Sequence, residues 1–318
     1  MTRPRSDKLP PKPDFYMVIF HDQLGTSEQY STWDNSDAWS SDNQTGSKGF
    51  SDYCKSVYDI RTTFKAVSEG VNTTDVGSEL DKYWDQLDQM ALDEIDRLRL
   101  GTIRHQSFSD TNIWFLRIAD DEIDGKCYCR AMNGMLTGLS YCHLQAIAKG
   151  QFCRAGVDLG YGTDFGDYSE GDEIHGPVLL SACKLEGNAG WARLAVGDGL
   201  VHTLDHRIQQ LASEMQNFST KAERDIYFYE HHFLSNMRSM IIQDDGVFMV
   251  DFAGATAAKA MTSVMRKIGE DPEDFYQSIL HEVADQVQEH SEANHQKHLT
   301  RAKTLQAYLQ ARKIHWVQ

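Results

Sequence analysis

Two aspartates carry the most legible chemistry in this chain. Asp22 follows the apolar run Tyr16-Met17-Val18-Ile19-Phe20, and Asp110 sits in Ser109-Asp110-Thr111-Asn112, between two further apolar runs. An ionised carboxylate at the end of a buried strand is costly unless something positive meets it. Neither aspartate has a Lys or Arg beside it in sequence, so a divalent cation is a natural partner. Carboxylates without thiolate or imidazole select a hard ion, Mg²⁺ or Mn²⁺, which takes one or two carboxylates and completes its shell with substrate phosphates. The competing reading makes each Asp a turn or cap residue, a role it fills in many loops.

For the two residues to meet, the intervening chain must bring their strands together. Residues 15–21 are expected as a strand, 30–52 as a Ser/Asp/Asn/Gly-rich loop, and about 53–100 as helix, with apolar positions such as Leu80, Tyr83, Trp84 and Leu87 at helical spacing. Residues 103–118 read as a hairpin with a tight turn at Asp110, and 127–149 as a helix ended by Lys149-Gly150. "FCRAGVDLGYG" is a strand closing on Gly160, followed by an acidic loop, a helix opened by Pro177 and a strand "WARLAVG". From residue 200 the pattern is mostly helical, broken by a hairpin near 241–252 whose Asp245-Gly246 turn is a strong short-range signal. This order predicts an α+β, ferredoxin-like sheet with helices on one face. Residues 1–14 are expected as a flexible arm, 15–200 as a catalytic domain with an insert at about 30–100, and 201–318 as a mostly helical extension.

Composition narrows the partners. The chain has 318 residues, 41% hydrophobic, and a formal charge of −16, which argues against a general nucleic-acid binder. No run of 18 or more apolar residues indicates a membrane span. The basic, proline-rich start lacks the apolar core of a secretory signal, and six cysteines show no CxxC pairing, so a cytoplasmic chain with reduced thiols is expected.

Four stretches, taken in order, carry a resemblance to a known family. "VIFHDQLGT" is similar to the strand-Asp-x-x-Gly opening of the class III nucleotidyl cyclase catalytic domain, and "SFSDTNIWF" to its hairpin with the second metal aspartate. "GQFCRAGVDLGYG" resembles the family's Arg-x-Gly strand, and "EIHGPVLLSACKLEGNA" with "WARLAV" resembles its Gly-Pro helix and following strand. The match spans about residues 15–200, and the order of the motifs gives it specificity.

The resemblance implies two-metal cyclisation of a nucleoside triphosphate, with two Mg²⁺ or Mn²⁺ ions held by Asp22, Gln23 and Asp110. Leu24, Gly25 and Thr26 would cradle the β- and γ-phosphates through a turn leading into a helix. Arg154 is a further phosphate candidate, beside a structural ion-pair reading. Where the family carries an Asn and an Arg on its helix, this chain has Leu180 and Lys184; Lys supplies charge without a bidentate fork, and Ser181 is the nearest polar substitute. The aligned base-reading pair is Gln106 and Glu173, which fits neither the adenylyl nor the guanylyl code, while an amide suits a uracil or cytosine edge as readily as a purine. The chain thus resembles the stand-alone pyrimidine cyclases of anti-phage defence, which make cyclic UMP or cyclic CMP for a separate effector. Family architecture implies a homodimer with composite sites. Alternatives are an adenylate or guanylate cyclase, a degenerate nucleotide-binding signalling module, and a metal-dependent phosphohydrolase.

Other candidates weigh less. His281, His290, His295 and His298 lie in one histidine-rich stretch without metalloprotease spacing, and they do not all share one helical face. Cys127 and Cys129 point apart on any regular element. Arg193 is expected as a structural ion-pair partner, and Tyr16, Trp33, Trp39 and Phe50 as core or loop anchors.

Overall fold

The computed structural model describes residues 13–24, 44–73, 102–118, 129–166, 172–214, 218–267 and 269–317. Its strands are β1 (Asp14–Gln23), β2 (Arg104–Phe108), β3 (Thr111–Arg117), β4 (Cys153–Asp164), β5 (Ile174–His175), β6 (Leu194–Val196), β7 (Ile241–Asp244) and β8 (Val247–Val250). They form one sheet in the order β2-β3-β1-β4-β6-β8-β7, with β5 paired to β4. β1 runs antiparallel to both neighbours, with His21 opposite Asn112 and Asp22 opposite Arg154.

Three helices cover the first four strands: α1 (Gln44–Thr73), α2 (Cys129–Ala148) and α3 (Pro177–Asn188). They correct the expectation of helices on one face. The odd-numbered Met17 and Ile19 pack into the core containing α1 and α2, whereas Tyr16, Val18, Ile113 and Phe115 pack with Val178 and Ala182 of α3. The physical reason is in the strand itself. Met17, Val18 and Ile19 are all fully buried, so β1 is apolar on both faces and both require cover.

Local signals explain the element ends. Gly150, at φ 72, closes α2 by returning its N–H to the Ile147 carbonyl. Gly176 enters α3 at φ 120, a region open mainly to glycine, and Pro177 occupies the first turn. Asp245 and Gly246 both have positive φ, 54 and 77, as the tight turn between β7 and β8 needs. Three boundaries move relative to the sequence reading. Helix α1 begins at Gln44, inside the expected loop; β4 runs on to Asp164; and "WARLAVG" contributes only Leu194–Val196. The stripe from Leu80 to Leu98 lies outside the described residues.

The last third comprises α4 (Asp198–Glu214), α5 (Lys221–Ser239), α6 (Ala255–Lys267), α7 (Pro272–Glu292), α8 (Gln296–Arg312) and a 3-10 turn at Lys313–His315. Sequence reading puts a boundary near residue 200, yet the hairpin β7–β8 joins the same sheet, with Met249 opposite Ala195 of β6. Helix α2 is buried almost all round because the sheet lies on one side while α5, α6 and α7 pack against it. The end of the chain is tied down by Asp251, whose Oδ1 accepts from Tyr308 Oη at 2.7 Å and Arg312 Nε at 2.9 Å. Among the described residues no helix is long and apolar enough to cross a membrane. The five described cysteines are free thiols.

Candidate active site

Strand alternation decides what the outer corner of the sheet presents. Tyr16, Val18, Phe20 and Asp22 point to the α3 face, and their neighbours Met17, Ile19, His21 and Gln23 point to the α1–α2 face. The hairpin turn Ser109-Asp110, with Ser109 at φ 49, stands next to the end of β1 because β3 pairs antiparallel with it. The Thr111 hydroxyl donates to Asp22 Oδ1 at 2.8 Å. Burial pushes the Asp22 carboxyl above the ordinary range; the Thr111 bond opposes this, the Asp110 charge adds to it, and Arg154 opposes it. The buried Cys153 thiol is likewise pushed up, by burial first and then by Asp22 and Asp110 together. The two aspartates, far apart in sequence, therefore act on the same corner.

Arg154 belongs to that corner as well. Its Nη2 lies 2.6 Å from Glu186 Oε1 on α3, and both side chains are largely buried. Burial raises the Glu186 carboxyl, Arg154 lowers it and Asp22 raises it again. Glu186 was absent from the site residues expected from sequence. Its signal was present: Val178, Ala182 and Glu186 recur at four-residue spacing, so a carboxylate occupies a core-facing helix position. Gly156 allows this approach, since a Cβ there would stand 1.9 Å from the Ala182 carbonyl oxygen.

The remaining expected residues divide. The Gln106 side-chain oxygen accepts from the Ile174 N–H at 3.5 Å, next to Glu173, whose Oε1 meets His175 Nε2 at 2.6 Å. The pair is thus brought together across β2 and β5. Ser181 gives its hydroxyl to Asp158, so it is already engaged. Lys184 is exposed on α3, and Leu180 is 56% exposed. Two ligand expectations are corrected by geometry. The Gln23 side chain is buried on the opposite face from Asp22, because adjacent strand residues alternate. The Leu24 N–H is spent on the Phe152 carbonyl at 2.7 Å, which removes it from the amides open to phosphate. Gly25, Thr26, Trp33, Trp39 and Cys127 lie outside the described residues.

The corner's charge suits a cation. Arg154 acts on both Asp22 and Glu186, while Asp110 adds a further negative charge beside Asp22. Oxygen-only donors fit a hard divalent ion. Among the described residues no three His, Cys, Asp or Glu side chains form a complete metal cage, so water or substrate oxygens would supply the other ligands.

Elsewhere, Arg193 pairs with Asp244 at 2.5 Å, as expected of a structural partner. The histidine-rich stretch is divided by a turn between α7 and α8, where Asn294 adopts φ 55. That turn brings the rings of His290, His295 and His298 to centroid separations of 5.3–6.2 Å. His281 instead lies 3.4 Å from Asp285.

No family model and no curated protein matches this chain. Among solved structures, it is similar to one described as a bacterial light-regulated adenylyl cyclase, at 12% identity and a TM-score of 0.30. The likeness covers 60% of this chain and 45% of that structure, so the chain spans less than half its length.

Proposed function

We propose that this chain is a nucleotidyl cyclase that converts a nucleoside triphosphate into a 3′,5′-cyclic nucleotide and pyrophosphate at the Asp22–Asp110 corner. The observation that carries the reading is the convergence of those carboxylates at the open end of a β2-β3-β1-β4 sheet. Mg²⁺ or Mn²⁺, when bound, supplies acidification of the ribose 3′-hydroxyl and neutralisation of the leaving pyrophosphate. Asp22 and Asp110 would hold it. Thr111 fixes one oxygen of Asp22 and so orients the carboxylate, while Arg154 and Glu186 brace the neighbouring strand against α3. In-line phosphoryl transfer needs positioning and charge stabilisation without a covalent nucleophile, and exposed Lys184 is a cation on α3 for the triphosphate.

Gln106 and Glu173 are the proposed base readers, with UTP or CTP the favoured substrate because an amide both donates and accepts. The product would be a second messenger, read by a separate effector in anti-phage defence. Two copies would complete the site. A second reading has its own observation: Leu180 is exposed and cannot hydrogen-bond where the resembled family places Asn, which favours a module that binds nucleotide without turnover.

Full-length protein incubated with each of the four triphosphates and Mn²⁺, Mg²⁺ or EDTA separates these readings by chromatography and pyrophosphate release. A cyclic product from at least one triphosphate is expected, reduced at least about a hundredfold in Asp22→Asn and Asp110→Asn variants of unchanged circular dichroism. Binding without product establishes the signalling module, and a linear monophosphate establishes a phosphohydrolase. Full activity in either variant removes the two-carboxylate mechanism. Gln106→Ala and Glu173→Ala are expected to reorder the triphosphates; an unchanged ranking denies them base recognition.

A further inference from the structure

A second concavity lies between α6 and the C-terminal turn, on elements other than those that carry the acidic corner. It encloses about 670 Å³ and is lined by Ala255, Lys259, Thr262, Ser263, Arg266, His315 and Trp316. That volume is within the usual range of small-molecule sites, roughly 300–1,000 Å³.

Its chemistry runs against the rest of the molecule. The chain carries 47 acidic and 31 basic residues, yet three cation-forming side chains, Lys259, Arg266 and His315, border this cavity. Lys259, Thr262, Ser263 and Arg266 are spaced i, i+3, i+4 and i+7, so one face of α6 presents them in a row. His315 closes the row from the 3-10 turn. An anion entering the cavity would meet these donors together. Arg offers a planar fork to phosphate oxygens, Lys a compact charge, and the hydroxyls between them further hydrogen bonds. The floor is apolar and fixed: Trp316 is 2% exposed, stacks on Tyr276 at 4.7 Å, and commits its indole N–H to the Ala253 carbonyl at 3.0 Å.

We infer that this cavity binds a phosphate-bearing small molecule, independently of the acidic corner. The shared chemistry is an oligophosphate, carried by a nucleotide or by an inorganic chain.

Calorimetric titration of the full-length protein with tripolyphosphate tests this, with EDTA present so that the acidic corner holds no divalent ion. Saturable binding is expected, weakened about tenfold or more in the Lys259→Gln/Arg266→Gln variant. A thermal melt like that of the parent protein shows that the variant folds, and Arg266→Lys restores part of the affinity. A parallel titration with UTP and ATP identifies the source: binding that is tighter than tripolyphosphate and weakened in the Lys259→Gln/Arg266→Gln variant assigns a nucleotide, and equal binding an inorganic chain. The inference is overturned if tripolyphosphate does not bind at millimolar concentration, or if the folded double variant binds it as the parent does.

Discussion

His21 and Asp22 are neighbours on β1 that face opposite sides of the sheet. Both are taken from water, and burial shifts both toward their neutral forms. On the closed face, His21 lies against Phe64 at 4.4 Å and near His143 at 6.0 Å, and neither of its ring nitrogens has a hydrogen-bond partner among the described residues. On the open face, Asp22 has a hydroxyl donor, a nearby guanidinium and a second carboxylate. One face holds an ionisable group without a hydrogen-bond partner, while the other surrounds it with a donor and with charges of both signs. That difference separates the two faces better than burial does.

The largest expected effect comes from closing the approach of α3 to the open face. Gly156→Val would press its side chain into the Ala182 carbonyl, a backbone atom that cannot rotate away. A loss of at least about 3 kcal/mol in urea unfolding is expected, and an unchanged midpoint would show that α3 does not rest on β4 there. Next is the ion pair that braces the corner. Glu186→Gln removes the ion-pair partner of the largely buried Arg154, leaving Asp22 as a nearby counter-charge, and is expected to cost about 2–3 kcal/mol. A double variant with Arg154→Met should recover part of that loss; if the two losses simply add, the pair is not coupled.

The closed face is sharpened by pH. Burial pulls His143 down to about 4, against the bond from its ring to the Ala192 carbonyl. A histidine with a depressed folded value stabilises fully above its ordinary value near 6.5, and this contribution fades as pH falls toward 4. His143→Phe is therefore expected to flatten the fall in stability between pH 7 and 4.5 by about 2 kcal/mol. Parallel pH profiles for variant and parent would deny this role. The smallest effect has the opposite sign. A carboxyl with a raised folded value stabilises only in acid, and that contribution is lost as pH rises through it. Asp22→Asn should melt slightly above the parent at pH 7, with the gain vanishing in acid. A lower melting temperature at pH 7 would mean that Asp22 is better satisfied than its surroundings imply.

The apolar run before Asp22, the Asp110 turn, Pro177 and the Asp245-Gly246 hairpin were legible because each depends on a few adjacent residues and their backbone preferences. The two aspartates could be singled out for the same reason, as carboxylates placed where strands end. Sequence alone could not divide the faces. Whether Gln23 stands beside Asp22 or behind it depends on strand parity within the sheet, and whether Glu186 is solvated or set against Arg154 depends on where α3 lands. The histidines show the same limit: a single left-handed residue, Asn294, turns α7 into α8 and gathers rings that no one helix could face together. Local chemistry is written in neighbouring residues, but charge compensation and access to water are properties of what packs across space, and the tertiary structure decided those.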